Sequence, residues 1–166
     1  MASHRKNKFT DKYLEKYIKE LEEKGHEVDR INLLDFDLKR CIACGYCGKT
    51  YGKCSINDDM SLIYEKLKNY ENYILASPVY FNSVSTLAKL FIDRCQMLFE
   101  CEFTFGKPFV DRESIGEGIL ISVAGANEYE NQFLGSELIA KAFFTNLKVE
   151  LKEHIKIAGT DFKNQI

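Results

Sequence analysis

Two nearly unbroken apolar runs, Tyr73-Ile74-Leu75-Ala76 and Gly118-Ile119-Leu120-Ile121-Ser122-Val123, constrain the fold more than any other feature of this chain. Each has the length of a strand, and each stops at a turn signal, Ser77-Pro78 and Ala124-Gly125. Strands without polar alternation are buried on both faces, which marks a parallel sheet covered by helices. The segments between them supply those helices. Thr10 is placed to cap a helix running to about Lys24, with Tyr13, Leu14, Tyr17, Ile18 and Leu21 along one face. Gly25 ends it, and Val28, Ile31 and Leu33 read as a short strand. Asp58 or Asp59 caps a second helix with Met60, Ile63, Tyr64 and Leu67 on its apolar side. A third is expected from about Ser85 to Phe99, and Phe105 to Ser114 reads as a connecting loop. A last helix, from about Phe133 to Leu147, leads into a strand around Val149 to Ile157. The expectation is a single α/β domain over residues 1–166.

Composition narrows the function classes. The formal net charge of −2 and the lack of a basic stripe argue against nucleic acid as a partner. No apolar run approaches the ~20 residues of a membrane helix, and the basic start lacks a secretory apolar stretch. A cytoplasmic protein is expected. Four of the six cysteines fall between Cys41 and Cys54, and a reducing compartment turns them towards metal or thiol chemistry. Cys95 and Cys101 stand apart and read as buried small hydrophobes.

In open parallel sheets, ligands bind beyond the carboxyl ends of the strands. Those ends are Asp35 to Cys54, Ser77 to Ser83 and Ala124 to Asn131, so the cysteines fall on the expected ligand edge. Cys41-x2-Cys44-x2-Cys47-x6-Cys54 can wrap one side of a cubane cluster and close it from just beyond. Tetrahedral zinc is a second reading, although zinc sites usually arrive as two separated pairs, and four metal-free thiols are a third. Ser77-Pro78-Val79-Tyr80-Phe81-Asn82 can present main-chain groups to a planar heterocycle, or simply close the core as an ordinary turn. Ser3 to Thr10 brings hydroxyls, amides and a positive helix end together, which suits a phosphate monoester; a disordered basic terminus is the alternative. His4, His26 and His154 form no visible triad or metal pair. Glu15 with Lys19, and Glu20 with Lys24, stand at helix-supporting spacing.

In order and spacing, five blocks resemble the iron–sulfur flavoproteins and the related NAD(P)H-dependent FMN reductases. They are Ser3-x-Arg5-x-Asn7-x-x-Thr10, the cysteine run, Asn57-Asp58-Asp59-Met60, Ser77-Pro78-Val79-Tyr80-Phe81, and Lys89-x-Phe91-x-Asp93-Arg94. The resemblance implies a flavodoxin-like three-layer sandwich that binds FMN and forms a homo-oligomer, a dimer or a tetramer. It implies a phosphate loop at Ser3, Arg5, Asn7 and Thr10, an isoalloxazine loop at Pro78, Val79, Tyr80, Phe81 and Asn82, and a third flavin-side loop at Gly125. It implies a [4Fe–4S] cluster on Cys41, Cys44, Cys47 and Cys54, NAD(P)H as a possible donor, small molecules or proteins as donor and acceptor, and no catalytic side chain. Without the cluster the chain would be a plain FMN or quinone reductase; without the flavin, a zinc or thiol-switch protein. The family pattern opens on a central apolar strand ending in Asn-Gly-Ser-Pro, whereas here Met1-Ala2-Ser3 leads directly into the phosphate loop. His4 stands where proline is usual, and Lys8-Phe9 where the family has a glycine-containing pair. The sheet is therefore expected without that strand, its neighbours keeping backbone groups that are costly to bury unpaired. The end at Ile166 also falls before a helix with which the family commonly continues.

Overall fold

A computed structural model describes residues 1–162; the expectation about the chain's end lies outside them. Three strands, β1 (Tyr73–Pro78), β2 (Gly116–Val123) and β3 (Val149–Ile157), form a parallel sheet in the order β1-β2-β3. Both expected apolar runs are strands, and they pair in register from Tyr73 opposite Gly118 to Pro78 opposite Val123. Helix α1 (Phe9–Glu23) covers one face, where Leu14 packs with Met1, Ala76, Ile121 and Val123. The larger core lies on the other face, under α2 (Met60–Leu67), α3 (Thr86–Arg94), α4 (Gln96–Phe103) and α5 (Leu134–Thr145).

Several local expectations are corrected. The segment Val28–Leu33 is not a strand; it is extended and ends in a 3-10 turn at Leu33–Asp35. Among the described residues its pairing is confined to Met1, whose amine donates to the Ile31 carbonyl (2.7 Å) and whose carbonyl accepts from Leu33 N–H (3.0 Å). On its other side the same stub pairs with β1, Ala2 N–H donating to the Ala76 carbonyl at 2.8 Å. Thr10 does not cap α1. Lys8 holds that position without a side-chain bond, and Thr10 is buried one residue inside the helix.

The expected third helix is two. Tyr64 Oη donates to the Arg94 carbonyl (2.5 Å), taking the acceptor that Leu98 N–H would use in a continuous helix. Leu98 N–H turns to Cys95 instead, and α4 starts there. Cys95 and Cys101 are fully buried, as small hydrophobes should be. No described helix is long and apolar enough to cross a membrane.

Candidate functional site at the carboxyl edge of the sheet

Because the strands are parallel, the loops after Ala2, β1 and β2 emerge at one edge. Ser85, the N-cap of α3, joins the first two. Its Oγ donates to the Ala2 carbonyl (2.6 Å) and accepts from Ala88 N–H, while its own N–H donates to Ser77 Oγ (2.9 Å). His4 Nε2 lies 3.0 Å from Thr86 Oγ1 across the same gap.

The first loop precedes α1. Arg5 and Asn7 are exposed, and Ser3 and Thr10 are buried. Ser3 Oγ accepts from Arg5 N–H (3.1 Å), and Asp11 Oδ2 from Asn7 N–H (2.5 Å), so two amides are already engaged inside the loop. Asn7 itself has φ 57, the left-handed conformation that asparagine tolerates well. Asp11 pairs with Arg30; although burial opposes it, the Asn7 amide and Arg30 hold its carboxyl below the usual range. Lys6 pairs with Asp35, tying this loop to the segment that leads to the cysteines.

The second loop holds Pro78 buried, Val79 and Asn82 half-buried, and Tyr80 and Phe81 exposed. Phe81 and Asn82 both adopt positive φ, 48° and 60°, and Tyr80 pairs with Ser83 in a tight antiparallel bridge. An aromatic residue in that conformation is strained, and such strain concentrates at ligand sites. Tyr129 donates to Asn82 Oδ1 from the third loop. In that loop, a Cβ on Gly125 would meet the Asp161 carboxylate at 2.2 Å, and Asp161 N–H bonds the Gly125 carbonyl. Glycine there makes room for the turn Thr160–Phe162, which packs across the loop. Gln132 is buried beside it, and its Oε1 accepts no bond among the described residues.

The cysteine segment follows Asp35 without regular structure. Cys44 is exposed and Cys41, Cys47 and Cys54 half-buried. Cys44 Sγ lies 3.1 Å from Ser55 Oγ, which lowers its thiol pKa together with the Tyr46 amide; burial and then Glu100 raise that of Cys47. Sequence reasoning missed what secures this loop. Arg94 and Asp58 form a bidentate ion pair with both side chains 1% exposed or less. Arg94 also donates to the Lys39 carbonyl (2.7 Å) and reaches Cys54 Sγ (3.6 Å); Asp58 Oδ2 accepts from Lys39 N–H (2.8 Å). Burial opposes the charge on Asp58, but Arg94 and the Lys39 amide keep its carboxyl below the usual range. The expected capping role survives only in part, as Asp58 Oδ1 accepts from Met60 N–H (3.2 Å).

The donor chemistry suits a soft metal centre: four thiols, and a buried Arg94 Nε–H without an acceptor among the described residues. The placement does not. Among the described residues, no three cysteine, histidine or acidic side chains surround a common metal position.

A second constellation also escaped the sequence. His154 lies between Ser122 Oγ (2.9 Å from Nε2) and Glu137 Oε2 (3.2 Å from Nδ1), the order of a hydrolytic triad. Ser122 is wholly buried in β2, where no substrate reaches it, so the group works as a polar tie between β3, β2 and α5.

A three-layer α/β sandwich with helix-initiating loops gathered at the carboxyl edge is the flavodoxin-like architecture. Two solved structures share it: an FMN-dependent NADH-azoreductase from Bacillus anthracis in complex with FMN (TM-score 0.62, 16% identity, 95% of this chain and 82% of that one), and RosB with a bound riboflavin-phosphate intermediate (TM-score 0.64, 14%, 95% and 62%). Residues 1–130 match the family described as NADPH-dependent FMN reductase, and the chain belongs to that family. An iron–sulfur flavoprotein of Archaeoglobus fulgidus is 33% identical over 72% of this chain and 57% of its own length. Another, from Methanocaldococcus jannaschii, is 45% identical over 46% of this chain and 39% of its own. The matches thus span 39% and 57% of these relatives' own length.

Proposed function

We propose that the chain is an FMN-dependent oxidoreductase, with the flavin bound across the loops at residues 3–10, 78–82 and 124–127. The observation that carries this reading is the joining of two of those loops through Ser85, with a strained Phe81-Asn82 turn, its Phe81 exposed, beside a helix N-terminus. The family match and the names of the relatives support it. FMN accepts electrons in pairs and releases them singly, and it carries the redox chemistry. The chain's part is binding and orientation. Arg5 and the positive end of α1 attract a phosphate, the main chain at 79–82 faces the ring system, and Tyr80 and Phe81 screen it from water. No side chain need move a proton. NAD(P)H, or another small-molecule or protein donor, supplies electrons, and a second such partner accepts them.

We assign Cys41, Cys44, Cys47 and Cys54 to a [4Fe–4S] cluster on their spacing, with the relatives' names in support. The ungathered thiols favour a second reading, a cluster-free FMN or quinone reductase. We further place the protein in the cytoplasm as a homo-oligomer, Ile42 and Tyr46 on the cysteine loop offering exposed apolar surface for a subunit contact. A visible spectrum of anaerobically purified protein, with iron and sulfide analysis, tests all of this. Flavin bands with a broad cluster absorbance are expected. Flavin bands without iron select the second reading, and colourless protein that takes up no added FMN refutes both.

A further inference from the structure

The turn at residues 80–83 holds a shape that its own sequence does not favour. Tyr80 and Ser83 exchange two main-chain bonds, Tyr80 N–H to the Ser83 carbonyl (2.9 Å) and Ser83 N–H to the Tyr80 carbonyl (3.0 Å). Positive φ at both residues between them is the pattern of a two-residue type I′ turn. Such turns take Asn-Gly or Gly-Gly, because few residues other than glycine, asparagine and aspartate enter the left-handed region cheaply. Phe81 is none of these, and its ring is fully exposed, so packing does not offset the cost.

Two contacts from outside the turn fall on Asn82. Tyr129 Oη donates to Asn82 Oδ1. Behind the turn, the start of α5 lies against the Asn82 main chain: a Cβ on Gly135 would stand 2.5 Å from the Asn82 carbonyl oxygen, closer than real side chains come. Gly135 lies inside α5 and outside the positive-φ region, so glycine is needed there for the close approach and not for the backbone. One stretch of chain supplies both contacts. Between them, the buried Gln132 folds that stretch back on itself, its N–H donating to the Tyr129 carbonyl (3.2 Å) and its Nε2 to the Asn127 carbonyl (3.4 Å).

We propose that Tyr129 and Gly135 are positioning residues: together they clasp Asn82 and set the turn at 80–83 in its left-handed form before any ligand arrives. What the turn is set to meet rests on the flavin reading above, whereas the clasp is a property of the flavin-free chain. Tyr129 acts through the asparagine side chain, and Gly135 by leaving room for the asparagine carbonyl. A turn set in advance spares the ligand the cost of ordering it, so loss of the clasp weakens binding through the turn.

The test uses the full chain carrying Tyr129→Phe, Gly135→Ala, or Tyr129→Phe together with Asn82→Gly. Glycine enters the left-handed region without steric cost, so in the double variant the turn is set without Tyr129. Amide hydrogen exchange is read without flavin at Tyr80 and Ser83, with Val79, whose N–H donates to the Val123 carbonyl (2.8 Å), as the control. FMN affinity is measured on the same proteins. Tyr129→Phe is expected to speed exchange at the turn about threefold or more and Gly135→Ala about tenfold or more, with Val79 nearly unchanged. FMN affinity is expected to fall in the same order, and the double variant to bring both readings back to within about twofold of the unaltered chain. Unchanged exchange in both single variants overturns the proposal, as does an equal rise at Val79, which would mean general loosening. So does a double variant that recovers nothing, or FMN affinity that stays constant in variants whose turn has loosened. If exchange follows the expected pattern while the unaltered chain takes up no FMN, the clasp stands and the flavin reading fails.

Discussion

Two loops at the ligand edge are held in opposite ways. The cysteine segment is clamped by a buried ion pair, Arg94 with Asp58, which grips the chain before Cys41 at Lys39 and touches Cys54. The loop at residues 3–10 hangs from main-chain bonds at Met1 and Ala2 and from Ser85 Oγ. The clamp draws nothing from the β1 edge of the sheet; the other anchor is that edge. Disturbance around Met1 should therefore reach the loop at residues 3–10 first and leave the cysteine segment in place.

The largest expected effect breaks the clamp. Arg94→Met leaves Asp58 buried and unpaired, and a loss of about 3–5 kcal/mol in denaturant unfolding is expected. Proteolysis within 40–57 should rise in native protein, and cleavage of the loop at 4–8 should rise much less. Ser85→Ala acts on the other anchor. It removes the α3 cap and the bond to Ala2, at a cost of about 1–2 kcal/mol, and should weaken FMN binding more than it exposes the cysteine loop. A smaller effect comes from the Met1 amine, whose folded pKa of about 5 lies below its ordinary 8.0. The unfolded chain takes up the proton first as pH falls. Stability is intact above pH 8 and erodes as pH falls towards 5, with about 1 kcal/mol lost at pH 7. Acetylating the amine should flatten that slope in melting curves. Phe81→Ala should leave stability within about 0.5 kcal/mol, since the side chain is fully exposed, while weakening FMN binding severalfold.

The parallel core was legible because continuous apolar runs permit little else, and β1, β2 and β3 all lie where their runs place them. The segment 28–33 has strand composition, but among the described residues it pairs only with Met1 and stays irregular. The break at Cys95 was hidden because its cause, the Tyr64 hydroxyl, is thirty residues away in sequence. Arg94–Asp58 and Ser122–His154–Glu137 were hidden for the same reason. Such ties form only when the packed fold brings distant residues together, and local periodicity carries no trace of them. In sequence Gly125 shows only as part of the turn signal that ends a strand; what requires a glycine there, the Asp161 carboxylate, comes from thirty-six residues further along the chain.

Titration of FMN with the purified chain, followed by flavin fluorescence, tests the central claim most directly. Quenching that saturates at equal molar amounts, and weakens with Phe81→Ala, is the expected result. Fluorescence that stays at the level of free FMN throughout the titration would contradict it.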